Sequence, residues 1–143
     1  MISQTAEYAL RAVVCLAQNP DKPLTATEIA KLTKVPEHYL AKVLQELARG
    51  EIVHSKRGLH GGFILAHSPD ELVLLDVIDA VDPIKKIVSC PLKLESHGVN
   101  LCPLHKRINE SIAHMQNTFR EATISTILAE PTRSTPLVES WQK

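Results

Sequence analysis

The side chains best equipped for chemistry in this 143-residue chain gather in one stretch. From about residue 84 to 102 the hydrophobic periodicity lapses, and Cys90, Pro91, His97, Gly98, Asn100 and Cys102 follow one another in what reads as a loop. Thiols and imidazole are metal-ligand types. A thiolate is also the nucleophile of thiol redox chemistry. Cys102 precedes Pro103 at the start of a predicted helix, where the partial positive charge and free amides favour the thiolate, and Lys106 and Arg107 stand one turn on. A Cys90–Cys102 disulfide, or a sulfenate on either sulfur, is one use of the pair. Zinc is a minor one, because the spacing is not that of a zinc finger. Cys15, among Val13, Val14 and Leu16, reads as a small buried hydrophobe. His54, His67 and His114 have no partner cluster in sequence and default to surface or capping roles, and Trp141 to an untied end.

A second group of side chains suits a polyanion. Residues 22–62 hold seven bases (Lys22, Lys31, Lys34, Lys42, Arg49, Lys56, Arg57) against four acids (Glu28, Glu37, Glu46, Glu51). Residues 68–82 carry Asp70, Glu71, Asp76, Asp79 and Asp82 and no base, so the net charge of zero conceals a polarised molecule. Lys and Arg neutralising phosphates supply the sequence-independent part of DNA affinity.

The elements that must position these groups are legible as periodicities. Residues 3–17 place Ala6, Ala9, Leu10, Val13, Val14 and Ala17 at helical intervals. Thr25 to Glu28 forms a capping box for a short helix over about 25–32, with Ile29 and Leu32 facing inward. After the turn at Thr33-Lys34-Val35, a helix over about 36–49 carries Leu40, Val43, Leu44 and Leu47, with Gly50 beyond its end. Two β-prone runs, Ile52–Ser55 and Phe63–Ala66, flank a Lys-Arg-Gly-Leu-His-Gly-Gly tip. A helix is expected over 68–82, after Ser68-Pro69-Asp70-Glu71, and a long one over 103–129. The latter sets Leu104, Ile108, Ile112, Met115, Phe119 and Ala122 on one face, partly at heptad spacing, and a second copy of the chain is the economical cover for so long a seam.

The expected fold is mainly α with a small β-hairpin wing. It divides into a winged helix-turn-helix domain at 1–82, a cysteine-containing loop at 83–102, a dimerisation helix at 103–129 and a polar, proline-punctuated tail at 130–143 read as disordered. Five aromatic residues leave an aliphatic core. Three cysteines are too few for a disulfide-stapled secreted scaffold, Glu7 and Arg11 interrupt any leader-like N-terminus, and no run is long enough to span a membrane. A cytoplasmic protein is expected. No nucleophile–base pair, phosphate-cradling loop or dinucleotide fingerprint is visible, which argues against an enzyme. In a helix-turn-helix the N-terminal residues of the second helix face base edges. Glu37 is then placed to accept from a cytosine amino group, His38 to reach a purine edge, Ala41 to touch a thymine methyl, and Tyr39 to bond a phosphate or pack. Thr27, Lys42, Ser55, Lys56, Arg57, Gly58, His60 and Gly61 complete the expected DNA-binding set, the wing residues as phosphate or minor-groove contacts.

The run Tyr39-Leu-Ala-Lys-Val-Leu-Gln-Glu-Leu47, the wing Ser55-Lys-Arg-Gly-Leu-His-Gly-Gly-Phe63, the opening Ala6-Glu-Tyr-Ala-Leu-Arg11, and Cys90 with Cys102-Pro-Leu-His105 together resemble the Rrf2 family of bacterial winged-helix regulators over about residues 1–129. The resemblance implies a dimeric repressor or activator on an imperfect palindrome in double-stranded DNA. It also implies an iron–sulfur cluster of the 2Fe-2S type as the sensing group, for redox state, iron or nitric oxide. Cluster-binding members carry three cysteines in the loop; here Ser96 stands near the middle position, beside His97. The implied ligands are Cys90 and Cys102 with two among His97, His105 and Glu7, Glu7 being lent by the partner subunit. A cluster-free thiol switch, a protein or small-molecule effector, and an interaction module that has lost DNA binding are the alternatives.

Overall fold

A computed structural model describes residues 1–97 and 100–137. Gly98, and the tail from residue 138 with Trp141, lie outside the described residues. Helix α1 (Gln4–Ala17) starts where the Ser3 hydroxyl accepts from the Ala6 amide, and it buries Ala6, Ala9, Ala12, Val13, Val14, Cys15 and Leu16. Small residues along this helix let its neighbours approach closely. It packs against α2 (Ala26–Thr33), α3 (Glu37–Arg49) and α4 (Leu74–Val81). The largest fully buried side chains are Ile, Leu and Val from several elements together with Cys15, so the core is aliphatic as composition required.

The capping box of α2 is present with both of its reciprocal bonds, and the Glu28 carboxyl is held below its ordinary range by the Thr25 backbone amide and then by Lys22. Ile29 is buried, but Leu32 is half exposed, against the expectation that both face inward. Consecutive residues point about 100° apart around a helix, and Thr33 rather than Leu32 takes the inward place, its hydroxyl donating to the Ile29 carbonyl at 2.7 Å. Lys34 in the left-handed region (φ 57°) makes the turn into α3, which buries Leu40, Val43, Leu44 and Leu47 as their spacing predicts.

The wing pairs β1 (Val53–Lys56) with β2 (Gly62–Leu65) antiparallel, from Val53 opposite Leu65 to Lys56 opposite Gly62. Leu24 adds an isolated bridge on the other side of β2, exchanging two backbone hydrogen bonds with Phe63. That close approach requires glycine at 62: its φ is +151°, and a Cβ there would stand 2.6 Å from the Leu24 carbonyl.

Two helix boundaries differ from expectation. Residues 68–73 form a turn rather than the first turns of a helix, with the Ser68 carbonyl accepting from Glu71 and Leu72. The long C-terminal helix α5 spans Pro103–Glu121 and stops there, because Ala122 is extended and Thr123 caps a separate helix α6 (Ile124–Ala129). Both departures have one cause. Leu74 donates to the Ala122 carbonyl and Ile124 to the Leu72 carbonyl, both at 2.9 Å, so 72–74 and 122–124 must both be extended to pair. The pairing carries Ile124 into the core, fully buried, and lays α6 against α1.

Candidate nucleic-acid interface and cysteine loop

The outward side of α3 carries Glu37, His38, Tyr39, Ala41 and Lys42, all exposed, on the turns opposite the buried leucines. Tyr39 is 53% exposed and its ring lies 4.3 Å from that of His38 and 6.3 Å from that of Tyr8 on α1. Arg11 sits over the Tyr8 ring at 5.7 Å and is paired with Glu7 at 2.8 Å. Tyr8 and Arg11 thus border the exposed side of α3, a neighbourhood that sequence reasoning did not assign to them, although Glu7 and Arg11 stand at the i, i+4 spacing of a helix ion pair. Thr27 on α2 donates its hydroxyl hydrogen to the Glu37 carboxylate at 2.6 Å.

Ion pairs within the domain sharpen the charge distribution. Lys22 is bound to Glu28 at 3.2 Å and Arg49 to Glu46 at 3.0 Å. Lys31, Lys34, Lys42, Lys56 and Arg57 are exposed outside those pairs. The wing tip is exposed from Lys56 to His60, including Ser55 before it and Leu59 at its apex. Gly58 has φ +115°, and a Cβ on Gly61 would collide with the Lys56 carbonyl, so the tip is built on glycine.

In the loop between α4 and α5, Cys90 is buried, and its carbonyl accepts from the Lys93 amide in a turn. Cys102 is half-buried at the N-cap of α5, with Pro103 in the first position and His105 one turn on, its Nδ1 3.4 Å from the Cys102 sulfur. The Nδ1 of His97 is buried with no hydrogen-bond partner among the described residues. Glu7 lies on α1, engaged by Arg11. Among the described residues no three His, Cys, Asp or Glu side chains converge as a metal site, so the expected set of Cys90, Cys102, His105, His97 and Glu7 is not assembled within one chain. All three cysteines are thiols, and burial pushes the Cys15 thiol up from its ordinary value.

Sequence reasoning missed what holds this loop. The Asn109 side chain grips the Ile87 backbone and Gln116 donates to the Ile84 carbonyl at 2.8 Å, strapping 84–87 along α5. Helix α5 also packs on α4, leaving Ile112, Met115 and Phe119 half-buried, but none of its residues is fully buried, and Leu104 is 65% exposed.

Residues 2–130 match the profile of Rrf2, described as iron-dependent transcriptional regulator. The chain belongs to the Rrf2 family. A relative from Aquifex aeolicus, named as an HTH-type transcriptional regulator, is 35% identical over 131 residues, covering 90% of this chain and 91% of its own length. Among solved structures, IscR of T. potens superposes with a TM-score of 0.75 at 21% identity, covering 94% of this chain and 93% of that one. CymR, the global cysteine regulator of B. subtilis, gives 0.73 at 22%, covering 92% and 98%. At such identities these two show the fold, that of the winged-helix regulators of the family. No helix among the described residues is long and apolar enough to cross a membrane.

Proposed function

We propose that the chain is a homodimeric transcription regulator that binds an imperfect palindrome in duplex DNA and whose operator affinity is set by chemistry in the loop at 83–102. The observation that carries the reading is the outward polar side of α3 beside a basic, glycine-built wing, in a member of a family of transcriptional regulators. Glu37, His38 and Lys42 face base edges in the major groove, with Ala41 against a thymine methyl. Tyr39, Ser55, Lys56, Arg57 and His60 serve the phosphate backbone, Thr27 acts through the Glu37 carboxylate to which its hydroxyl donates, and Gly58 and Gly61 let the wing approach the phosphates. The exposed apolar residues at the start of α5, Leu104 and Ile108, support dimerisation through that helix. Two copies of a moderately basic reading head then supply affinity that one would lack.

In the loop, Cys102 and His105 are the responsive unit. Their donor chemistry, with the buried, unpartnered Nδ1 of His97 and the Cys90 thiol, fits a 2Fe-2S cluster of mixed ligation. Cys90, Cys102 and His105 would hold it, with His97 or a Glu7 from the second protomer as the fourth ligand, completed by closure of the loop or by dimerisation. Such a group supplies a redox- and nitric-oxide-sensitive charge at the start of α5. A metal-free thiol switch is the second reading; the contact between Cys102 and His105 favours it, because a thiol beside an imidazole reacts without any third ligand, and no three ligand side chains converge among the described residues. The description of the family as iron-dependent regulators supports the first.

The test is anaerobic purification followed by an absorption spectrum, iron and sulfide assay, and duplex binding before and after oxidation. Coloured protein with stoichiometric iron and sulfide, and DNA binding that changes when the cluster is lost, establishes the cluster. Colourless protein whose thiols pair on oxidation with a change in DNA affinity establishes the switch. DNA binding indifferent to both refutes a sensory role for the loop.

A further inference from the structure

The hydrogen bond between Thr27 and Glu37 is unusual in its setting. Glu37 is a carboxylate at the first position of a helix read as facing DNA, where phosphate repulsion would swing an unrestrained acid away. Thr27, on the preceding helix, donates to one of its oxygens at 2.6 Å. A carboxylate offers about four lone-pair sites and no hydrogen to donate. One of those sites is taken by Thr27, and the second oxygen remains to accept from a base.

We propose that Thr27 and Glu37 form a base-reading pair that selects cytosine at one position of each half-site, with Glu37 as the specificity-determining acceptor and Thr27 as the positioning residue. The inference rests on the DNA-binding reading above. An acceptor-only group discriminates among the four base edges of the major groove. Cytosine presents its N4 amino donor. Adenine also has an amino donor, but its N7 acceptor lies alongside and faces the carboxylate. Guanine offers O6 and N7 and thymine offers O4, all acceptors that a carboxylate repels. The preference is therefore cytosine, then adenine, with guanine and thymine disfavoured. A fixed carboxylate gains this discrimination and a mobile one loses it, which gives the Thr27 hydroxyl its role.

The test is selection of a randomised duplex pool on the full chain, followed by binding of the enriched sequence and its single-base variants over a range of salt. The wild type should enrich a motif with cytosine at one symmetric position, preferred about five- to tenfold over guanine or thymine. Glu37→Gln should move that position toward adenine, whose N6 and N7 a glutamine amide satisfies together. Thr27→Val, which keeps the shape and removes the hydroxyl, should flatten the preference while leaving the salt dependence unchanged, and Thr27→Ser should restore it. If the bond is merely a clip between α2 and α3, Thr27→Val weakens all duplexes alike with the motif unaltered, and the proposal is overturned. A motif unchanged by Glu37→Gln overturns it as well. A wild-type chain that enriches no sequence overturns the DNA-binding reading and this pair with it.

Discussion

Asn109 and Ile87 are joined by two hydrogen bonds: the side-chain amide donates to the Ile87 carbonyl at 2.7 Å and its oxygen accepts from the Ile87 amide at 2.8 Å. The pair ties the segment entering the cysteine loop to the middle of α5, while Cys102 and His105 tie its exit to the first turn of the same helix. Whatever alters the loop is thereby applied to α5 at two points about one to two turns apart. Coupling needs such an element with two arrangements.

Replacing Asn109 by alanine should free the Ile87 backbone at a cost of about 1–2 kcal/mol, since the bonds are half-buried. The Ile87 amide should then exchange with solvent roughly tenfold faster, and the response of DNA binding to oxidation should shrink while basal affinity persists. Asn109→Asp keeps the acceptor but sets a charged oxygen against the Ile87 carbonyl, and should be no better than alanine. Hydrogen exchange resolved at residue 87 measures both; an unchanged rate in the alanine variant would refute the strap.

Gly62→Ala should destabilise the chain by about 2 kcal/mol or more, because it combines a positive φ with a collision against the Leu24 backbone. Thermal unfolding should fall by several degrees. Gly58→Ala is the control: its φ is +115°, yet open space surrounds the added Cβ, so strain acts without collision and the loss should be smaller. Equal losses at the two positions would show that the Leu24–Phe63 bridge does not constrain the wing.

The helix-turn-helix and wing were legible because their signals are local. The Thr25–Glu28 box, the leucine spacing of α3 and the glycines of the tip each act within a few residues. The start of α4 and the end of α5 were not, because a pairing across about fifty residues of chain sets them both. Thr123 caps α6 with Thr126 in place of the acidic or amide partner that marks a capping box in sequence, and the heptad pattern runs on to Ala122 without marking the end of α5 at Glu121. The side-chain straps from Asn109 and Gln116 reach backbone atoms 22 and 32 residues away and leave no pattern at all. In the cysteine loop the residue types were legible, but only the Cys102–His105 contact, at helical spacing, was legible as a pair.

Alkylation of the folded protein should label Cys102 first, with Cys90 and Cys15 far slower. Cys102 is half-buried beside an imidazole, Cys90 is 7% exposed, and Cys15 is 2% exposed with burial keeping its thiol protonated. Peptide mass mapping at short reaction times gives the order. Cys102→Ala should fold normally, since a helix N-cap without a side-chain bond loses little, and should abolish the oxidative response of DNA binding. A variant that still responds would remove Cys102 from the sensing reading.

Arg57 and Lys56 sit at the wing tip, exposed and outside the domain's own ion pairs, whereas Lys22 and Arg49 have their charge engaged by neighbouring acids. Charge already paired within the protein contributes less to phosphate neutralisation than charge held outward. Arg57→Ala should therefore weaken binding to all duplexes by a similar factor and reduce the slope of log affinity against log salt by about 1 per protomer. Arg49→Ala, which removes an equal formal charge from the same domain, should change that slope far less. Titration of one duplex at several salt concentrations with both variants separates the two contributions, and equal slopes for Arg57→Ala and wild type would exclude the wing from the interface.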